Sequence, residues 1–411
     1  MADPLFRPLR VLAAAALAGV LSQSPLGRAP LALAGAADSP SEGPEARPAE
    51  GDPFRARLSS VDANWQIQFD VAGKPRSLPA AEVVCWGRPE EPRRGPLVLL
   101  ADGSLLVADV TGAGRDTFRA ESALLGPVSI PLDGLCGVVV HAPADPLERD
   151  LLVDRVASAS GSSDRVVLSN GDEIAGSIGA IREGKARLET RVGPVDVDLA
   201  RIRALVYNPT LLKRPRAAGL RAWAGLSDGS RLLATSLTVD GKSARLGLAG
   251  GLAWKTSAAD LVFLQPLAGR VTYLSDLEAG HRQVPFLDLG WPCGTDRNVL
   301  GGMLRTSGRL WLKGLGTHSA SRLSYALAGQ YRFFQAELGV DDAASGGGSV
   351  GFRVFVDGQL KHTSPTVRGD SPPLPLRVDV TGAKKLDLVV DFADRADELD
   401  YANWLDARLV R

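Results

Sequence analysis

Three dipeptides constrain this chain more than any other feature of its sequence. Asp102-Gly103, Asn170-Gly171 and Asp228-Gly229 each separate two apolar runs, and such pairs readily adopt the positive φ that closes a tight hairpin. After each turn the same order follows: a strand, a glycine, and a closing apolar strand, at residues 126–140, 193–206 and 251–264. An earlier half-unit between Trp65 and Trp86 has the same ending, with Gly73, Leu78, Val83 and Val84. The spacing of the turns is too irregular for a solenoid. Residues 54–266 therefore read as a degenerate β-repeat scaffold, built as small tandem barrels or one composite sheet and almost wholly β.

The rest of the chain keeps to the all-β class. Forty-five glycines and 27 prolines without a collagen period point to many turns between short strands. With 47 Lys plus Arg against 47 Asp plus Glu, no net field draws the chain to nucleic acid or an anionic membrane. Cys85, Cys136 and Cys293 have no CxxC spacing, which disfavours structural zinc and leaves one disulfide or free thiols open. In the repeats the lone His141 has no evident nucleophile to serve, so the scaffold carries no catalytic reading.

At the start, Arg7 and Arg10 precede an apolar run at 11–21, and Ala32, Ala34 and Ala36 follow. That is the pattern of a secretory signal, assigned to residues 1–34, and it predicts an exported protein: periplasmic, cell-surface or extracellular. The run is too short to span a bilayer. Residues 35–53, rich in Pro, Gly, Ala, Ser and Glu, read as a disordered linker.

From 267 to 411 the strands become regular. Leu323, Tyr325 and Leu327 alternate with polar residues, as do Phe334, Ala336, Leu338 and Val340, then Val350, Phe352, Val354 and Val356 before the turn Asp357-Gly358. About eight such strands predict an antiparallel sandwich. The motifs come in a recognisable order. Tyr273-Leu274-Ser275-Asp276-Leu277 opens the region; Gly290-Trp291, Gly301-Gly302 and Lys313-Gly314-Leu315-Gly316-Thr317-His318-Ser319 follow. Gly339-Val340-Asp341-Asp342 and Asp400-Tyr401-Ala402-Asn403-Trp404-Leu405-Asp406 complete the set. This region resembles the NPCBM family of carbohydrate-binding modules, found attached to glycosyl hydrolases of family 98 and to alpha-galactosidases. The resemblance implies a galactose-binding-like β-sandwich and a module without hydrolytic residues of its own.

Chemistry narrows the candidate residues. A sugar offers hydroxyls that need fixed donors and acceptors, and an apolar C–H face that an aromatic ring can cover. His318 in its glycine-rich turn and Trp404 at the head of the last strand are the first candidates, followed by Trp291 beside Pro292 and Tyr401 in the acidic loop. Positive and negative residues balance in this third of the chain, so the expected partner is a neutral glycan. Paired carboxylates could hydrolyse a glycoside only if they faced each other across a cleft, and no such catalytic domain is legible. Asp341, Asp342, Asp397, Asp400 and Asp406 read either as a structural calcium site, since hard cations take oxygen ligands, or as solvated acids of the loops, and no cofactor is required. The sequence thus predicts a secreted, bacterial-type, non-catalytic carbohydrate-binding protein. The rival is a cell-surface structural or protein-interaction module whose sandwich no longer binds sugar.

Overall fold

The computed structural model describes residues 43–92, 95–215, 218–284 and 290–411. The expected signal segment and the first part of the expected linker, residues 35–42, lie outside the described residues. Most of the described chain is antiparallel β.

The fourth repeat shows how each unit is built. Strands Arg221–Leu226, Arg231–Val239, Ser243–Leu248 and Ala253–Ser257 meander, a single 3₁₀ turn follows at Ala258–Asp260, and Leu261–Leu267 returns to pair with the first strand. The same closure, last strand on first, recurs in the second and third repeats. It gives small, partly closed barrels, which leave fewer open sheet edges than isolated meanders would.

The first repeat is also complete, and this corrects the sequence reading. Its opening strand is Glu45–Pro48, inside the expected linker, and it pairs with the closing strand Val83–Gly87. The turn after it uses Glu50-Gly51, where Gly51 has φ +94°, close to the +93°, +93° and +90° of Gly103, Gly171 and Gly229. Without an Asp-Gly or Asn-Gly pair this fourth turn escaped the pattern. Composition also misled, because Ala46 and Ala49 are each 1% exposed: small side chains suffice where a strand lies against neighbours on both faces.

The repeats associate through their own strands. The closing strands of the first and fourth pair, as do those of the second and third. Backbones approach so closely there that a Cβ on Gly87 would lie 1.9 Å from the Val262 carbonyl oxygen. The second and fourth repeats exchange hydrogen bonds reciprocally: Ser230 Oγ accepts from Val107 N, and Ser104 Oγ accepts from Leu233 N, both at 2.9 Å. One apolar core runs from Ala46 to Leu264 through all four units.

One helix interrupts the scaffold, which is otherwise strands and short turns and so almost wholly β, as expected. Helix α1 (Pro146–Ala157) lies between the second and third repeats, capped by Asp145, whose Oδ1 accepts from Glu148 N at 2.8 Å. Asp-Pro followed by Glu is a helix-start signal, so this element was legible. Leu152 and Val156 seat it on the closing strands.

The C-terminal region is a two-sheet sandwich. One sheet holds Gly314–His318, Tyr401–Val410, Phe333–Val340 and Leu374–Asp379; the other holds Gly280–Gln283, Ser321–Ala326, Lys385–Phe392, Ser349–Val356 and Gln359–Thr363. Tyr325, Phe334, Phe352 and Trp404 fill the space between.

Trp404 is completely buried, which corrects its assignment to a binding surface. Strict alternation along the last strand would put Leu405, Ala407 and Leu409 on one face and Trp404 on the other. The strand instead bulges: register shifts opposite Gln335 and Glu337, and Asp406 takes φ +47°. A bulge inserts one residue and reverses the phase beyond it, so Ala402 and Trp404 face the same core as Ala407 and Leu409.

The sandwich sits on the first and fourth repeats and on α1, all within one compact unit. Val271, Tyr273 and Val410 pack against Ala49, Val84 and Leu267, and Met303, Leu310 and Leu312 pack on Phe263. Arg305 grips the Glu91 carboxylate from Nε and Nη2, at 2.6 and 3.1 Å, and reaches Asp150 of α1 with Nη1. Glu50 accepts from Arg270 at 2.6 Å and from Arg332 at 3.0 Å. The three cysteines are free thiols.

Candidate functional site

Three of the four expected sugar-contact residues come together at one end of the sandwich. His318 ends its strand directly across the sheet from Tyr401, the first residue of the last strand. Trp291 arrives from the segment preceding Gly294–Thr295, which pairs along the same strand as His318, and its backbone N–H donates to Gln283 Oε1. The Trp291 and His318 rings are stacked, with centroids 4.5 Å apart and planes 2° from parallel. Tyr401 leans on both at 5.9 Å, inclined by 58° and 60°. His318 is buried, while Trp291 and Tyr401 are half-buried.

Behind the rings lies an acidic loop. Asp400 is buried, and its Oδ1 accepts from Ser349 N at 2.9 Å. Arg395, Ala396 and Leu399 in this loop have φ of +61°, +56° and +57°, a strained run for residues with a Cβ, of the sort that collects at functional sites. Contacts at Ser349 over-determine the loop: its hydroxyl donates to Asp394 O and accepts from Asp394 N.

Burial pushes the Asp400 carboxyl up to about 6, with the Asp397 charge adding and the Ser349 and Ser319 donors opposing. Burial lowers the His318 pKa, Asp397 opposing, so the imidazole is neutral at neutral pH and can both donate and accept.

These shifts make a testable pH dependence. Unfolded, Asp400 titrates near 3.9; between that value and about 6 the folded chain holds a proton that the unfolded chain has released. Its contribution to stability is therefore most favourable at low pH and declines as pH rises through about 6. His318 acts oppositely, disfavouring the fold as pH falls below its ordinary value. Asp400→Asn removes only the first effect, so the melting temperature of the variant should decline less than that of the wild type between about pH 4 and 6. Parallel curves would show that Asp400 does not titrate in this range.

The other expected site residues lie elsewhere. Trp404 is core, its ring 4.8 Å from Phe352 at 87°. The five acids assigned to calcium are not gathered into one set, and among the described residues no group of three or more His, Cys, Asp or Glu side chains is placed to hold a metal ion. Asp341 shows the physical reason: its oxygens accept from Asn298 Nδ2, Asn403 Nδ2, Arg305 N and Ala343 N. Those donors occupy the lone pairs a cation would need. Asp342 accepts from Gly308 N, and Asp406 faces Gln265 of the fourth repeat. The Gly339-Val340-Asp341-Asp342 motif is therefore a loop organiser. Ser319, with Oγ 3.4 Å from His318 Nδ1, and Gln283, which orients Trp291, escaped sequence reading. Ser319 stood in the quoted motif beside His318; nothing local marked Gln283.

Residues 270–410 match the NPCBM/NEW2 domain. Over 107 residues the chain is 32% identical to a Renibacterium salmoninarum protein named for endo-alpha-N-acetylgalactosaminidase activity, a match covering 26% of this chain and 7% of that protein. It is 29% identical over 115 residues to alpha-1,3-galactosidase B of Akkermansia muciniphila, covering 27% and 14%. The chain thus spans only a small part of these curated relatives. Among solved structures, a CBM51 module from a Clostridium perfringens GH95 protein, in complex with methyl-galactose, is 26% identical over 34% of this chain and 99% of that one, with a TM-score of 0.31. A second Clostridium perfringens structure, CBM51-2 with GlcNAc and INT domains, is 29% identical over 42% and 38%, with a TM-score of 0.32. The C-terminal third of this chain, residues 270–410, is an NPCBM/NEW2 domain.

Proposed function

We propose that this protein is an exported, non-catalytic carbohydrate-binding protein whose sandwich holds a neutral glycan at the Trp291, His318 and Tyr401 cluster. The observation that carries the reading is the stack of Trp291 on His318 with Tyr401 against both. One ring face is pre-organised by its neighbours, and the phenol and imidazole supply polar atoms at its rim. A sugar ring lies on such a platform with little ordering cost. Relatives named for galactosaminidase and galactosidase activity match about a quarter of this chain, which supports a glycan carrying galactose or an N-acetylhexosamine. Asp397 and Asp400 come from a single loop rather than from opposite walls of a cleft, which favours binding without hydrolysis. Arg7, Arg10 and the apolar run after them support export.

Titration of neutral galactose- and N-acetylhexosamine-containing oligosaccharides against the full chain tests the site. Trp291→Ala and Tyr401→Ala should each weaken binding by about tenfold or more, since covering an aromatic face is worth roughly 1.5–3 kcal/mol. Unchanged affinity in both folded variants would remove the site. Release of reducing ends from any of these glycans would overturn the non-catalytic reading.

A further inference from the structure

The junction between the repeat scaffold and the sandwich encloses a second polar site, away from the aromatic cluster. The hairpin strand Arg309–Trp311 lies over the closing strand Val83–Gly87 of the first repeat, and between them is a cleft lined by Arg47, Arg88, Arg309, Gln265 and Trp311 together with the Glu45 and Asp406 carboxylates. Its enclosed volume is about 30 Å³, room for roughly two water molecules or one small oxyanion.

Three buried polar atoms on its walls have no partner among the described residues: Trp311 Nε1, Arg47 Nε and Gln265 Oε1. Trp311 is 6% exposed and Gln265 1%, so solvent at the mouth does not serve them. Two of the three are donors. The Arg47 Nη atoms are already committed to Glu45 and Glu337, and the Gln265 amide donates to Tyr273 Oη and Asp406 Oδ1. That leaves Arg47 Nε and Gln265 Oε1 for an occupant.

Positive charge adds to the donors. Arg309 lies over the Trp311 ring at 4.7 Å, and neither it nor Arg88 forms an ion pair among the described residues. Burial first, and then the nearby Arg88 and Arg47 charges, lower the Arg309 pKa, with Glu337 and Glu45 opposing. Native interiors rarely leave such donors unmade, and a planar guanidinium is shaped to grip an oxyanion.

We infer that the junction binds a small oxyanion carrying one hydroxyl, of the hydrogen phosphate, bicarbonate or 2-hydroxycarboxylate type. Its charged oxygens take the Trp311 and Arg47 N–H groups and the Arg88 and Arg309 guanidiniums; its O–H donates to Gln265 Oε1. Held between scaffold and sandwich, it stabilises the docking of one on the other, because it binds only the assembled state.

Calorimetric titration of the full chain with inorganic phosphate, glycolate and sulfate at neutral pH tests this. Phosphate or glycolate should bind saturably at one site and raise the melting temperature, and sulfate, which has no O–H at that pH, should bind more weakly. The response of phosphate relative to glycolate distinguishes the two sources. Arg88→Gln and Arg309→Gln should each weaken binding by about tenfold. Arg88 is exposed, and its structural hydrogen bond, to Val262 O, comes from the backbone, so its variant folds whatever becomes of the other, and its affinity for neutral glycans should be unchanged. Absence of saturable binding by phosphate and glycolate alike, or full affinity in the Arg88 variant, would overturn the inference and leave the cleft to ordered water.

Discussion

Trp404→Ala should strongly destabilise the C-terminal sandwich, while Trp291→Ala costs little stability. The Trp404 indole is 0% exposed, set edge-on to Phe352 and 6.3 Å from Phe334. Truncating a buried tryptophan to alanine costs roughly 3–5 kcal/mol through lost transfer energy and the cavity left behind. Against a total stability of about 5–15 kcal/mol, that removes a large share. The indole Nε1 has no hydrogen-bond partner among the described residues, so Trp404→Phe gives up volume but no polar contact and should cost much less than the alanine variant. Urea denaturation of the three variants checks the order. A Trp404→Ala protein with wild-type midpoint would place the ring outside the core and return it to the candidate sugar-contact residues.

Arg305→Ala should produce the other large effect, at the junction. The guanidinium joins Glu91, which itself pairs with Arg149, to Asp150, whose Oδ2 also accepts from Met303 N at 2.8 Å. Burial opposes the charge on Arg305, but hydrogen bonds to the two acids outweigh it and raise its pKa. Removing one member of a buried pair strands its partner, at a cost of about 3–5 kcal/mol; Glu91 is partly exposed, so the lower end is expected. Because these contacts tie α1 and the scaffold to the sandwich, the loss should appear in calorimetry as a single transition separating into two. A single transition at the wild-type temperature would mean that apolar packing alone holds the junction.

Docking also bears on how the module is to be handled. Tyr273 and Gln265, joined at 2.9 Å, come from opposite sides of the boundary near residue 267. An isolated sandwich would expose Val271, Val410, Met303 and Leu312, which are buried in the whole chain. Glycan binding is therefore best measured on the full protein.

Local chemistry determined a good deal of this protein. Glycines at hairpin turns, period-two alternation and the ordered C-terminal motifs were enough for an all-β chain, repeated units and a sandwich, because each depends on backbone preference and burial within a few residues. Trp291, His318 and Tyr401 were legible as residue types suited to a sugar. Tertiary structure decided what distant segments do to one another. It made a strand of Glu45–Pro48, since that stretch gains its stability from Val83–Gly87 rather than from its own apolar content. It turned Trp404 inward through a bulge set by the neighbouring strand, and it spent the Asp341 carboxylate on four N–H donors, three of them brought in from remote positions. Side-chain type and local spacing can be read along a chain, whereas the phase of a bulged strand and the partners of a buried charge depend on segments that meet only on folding.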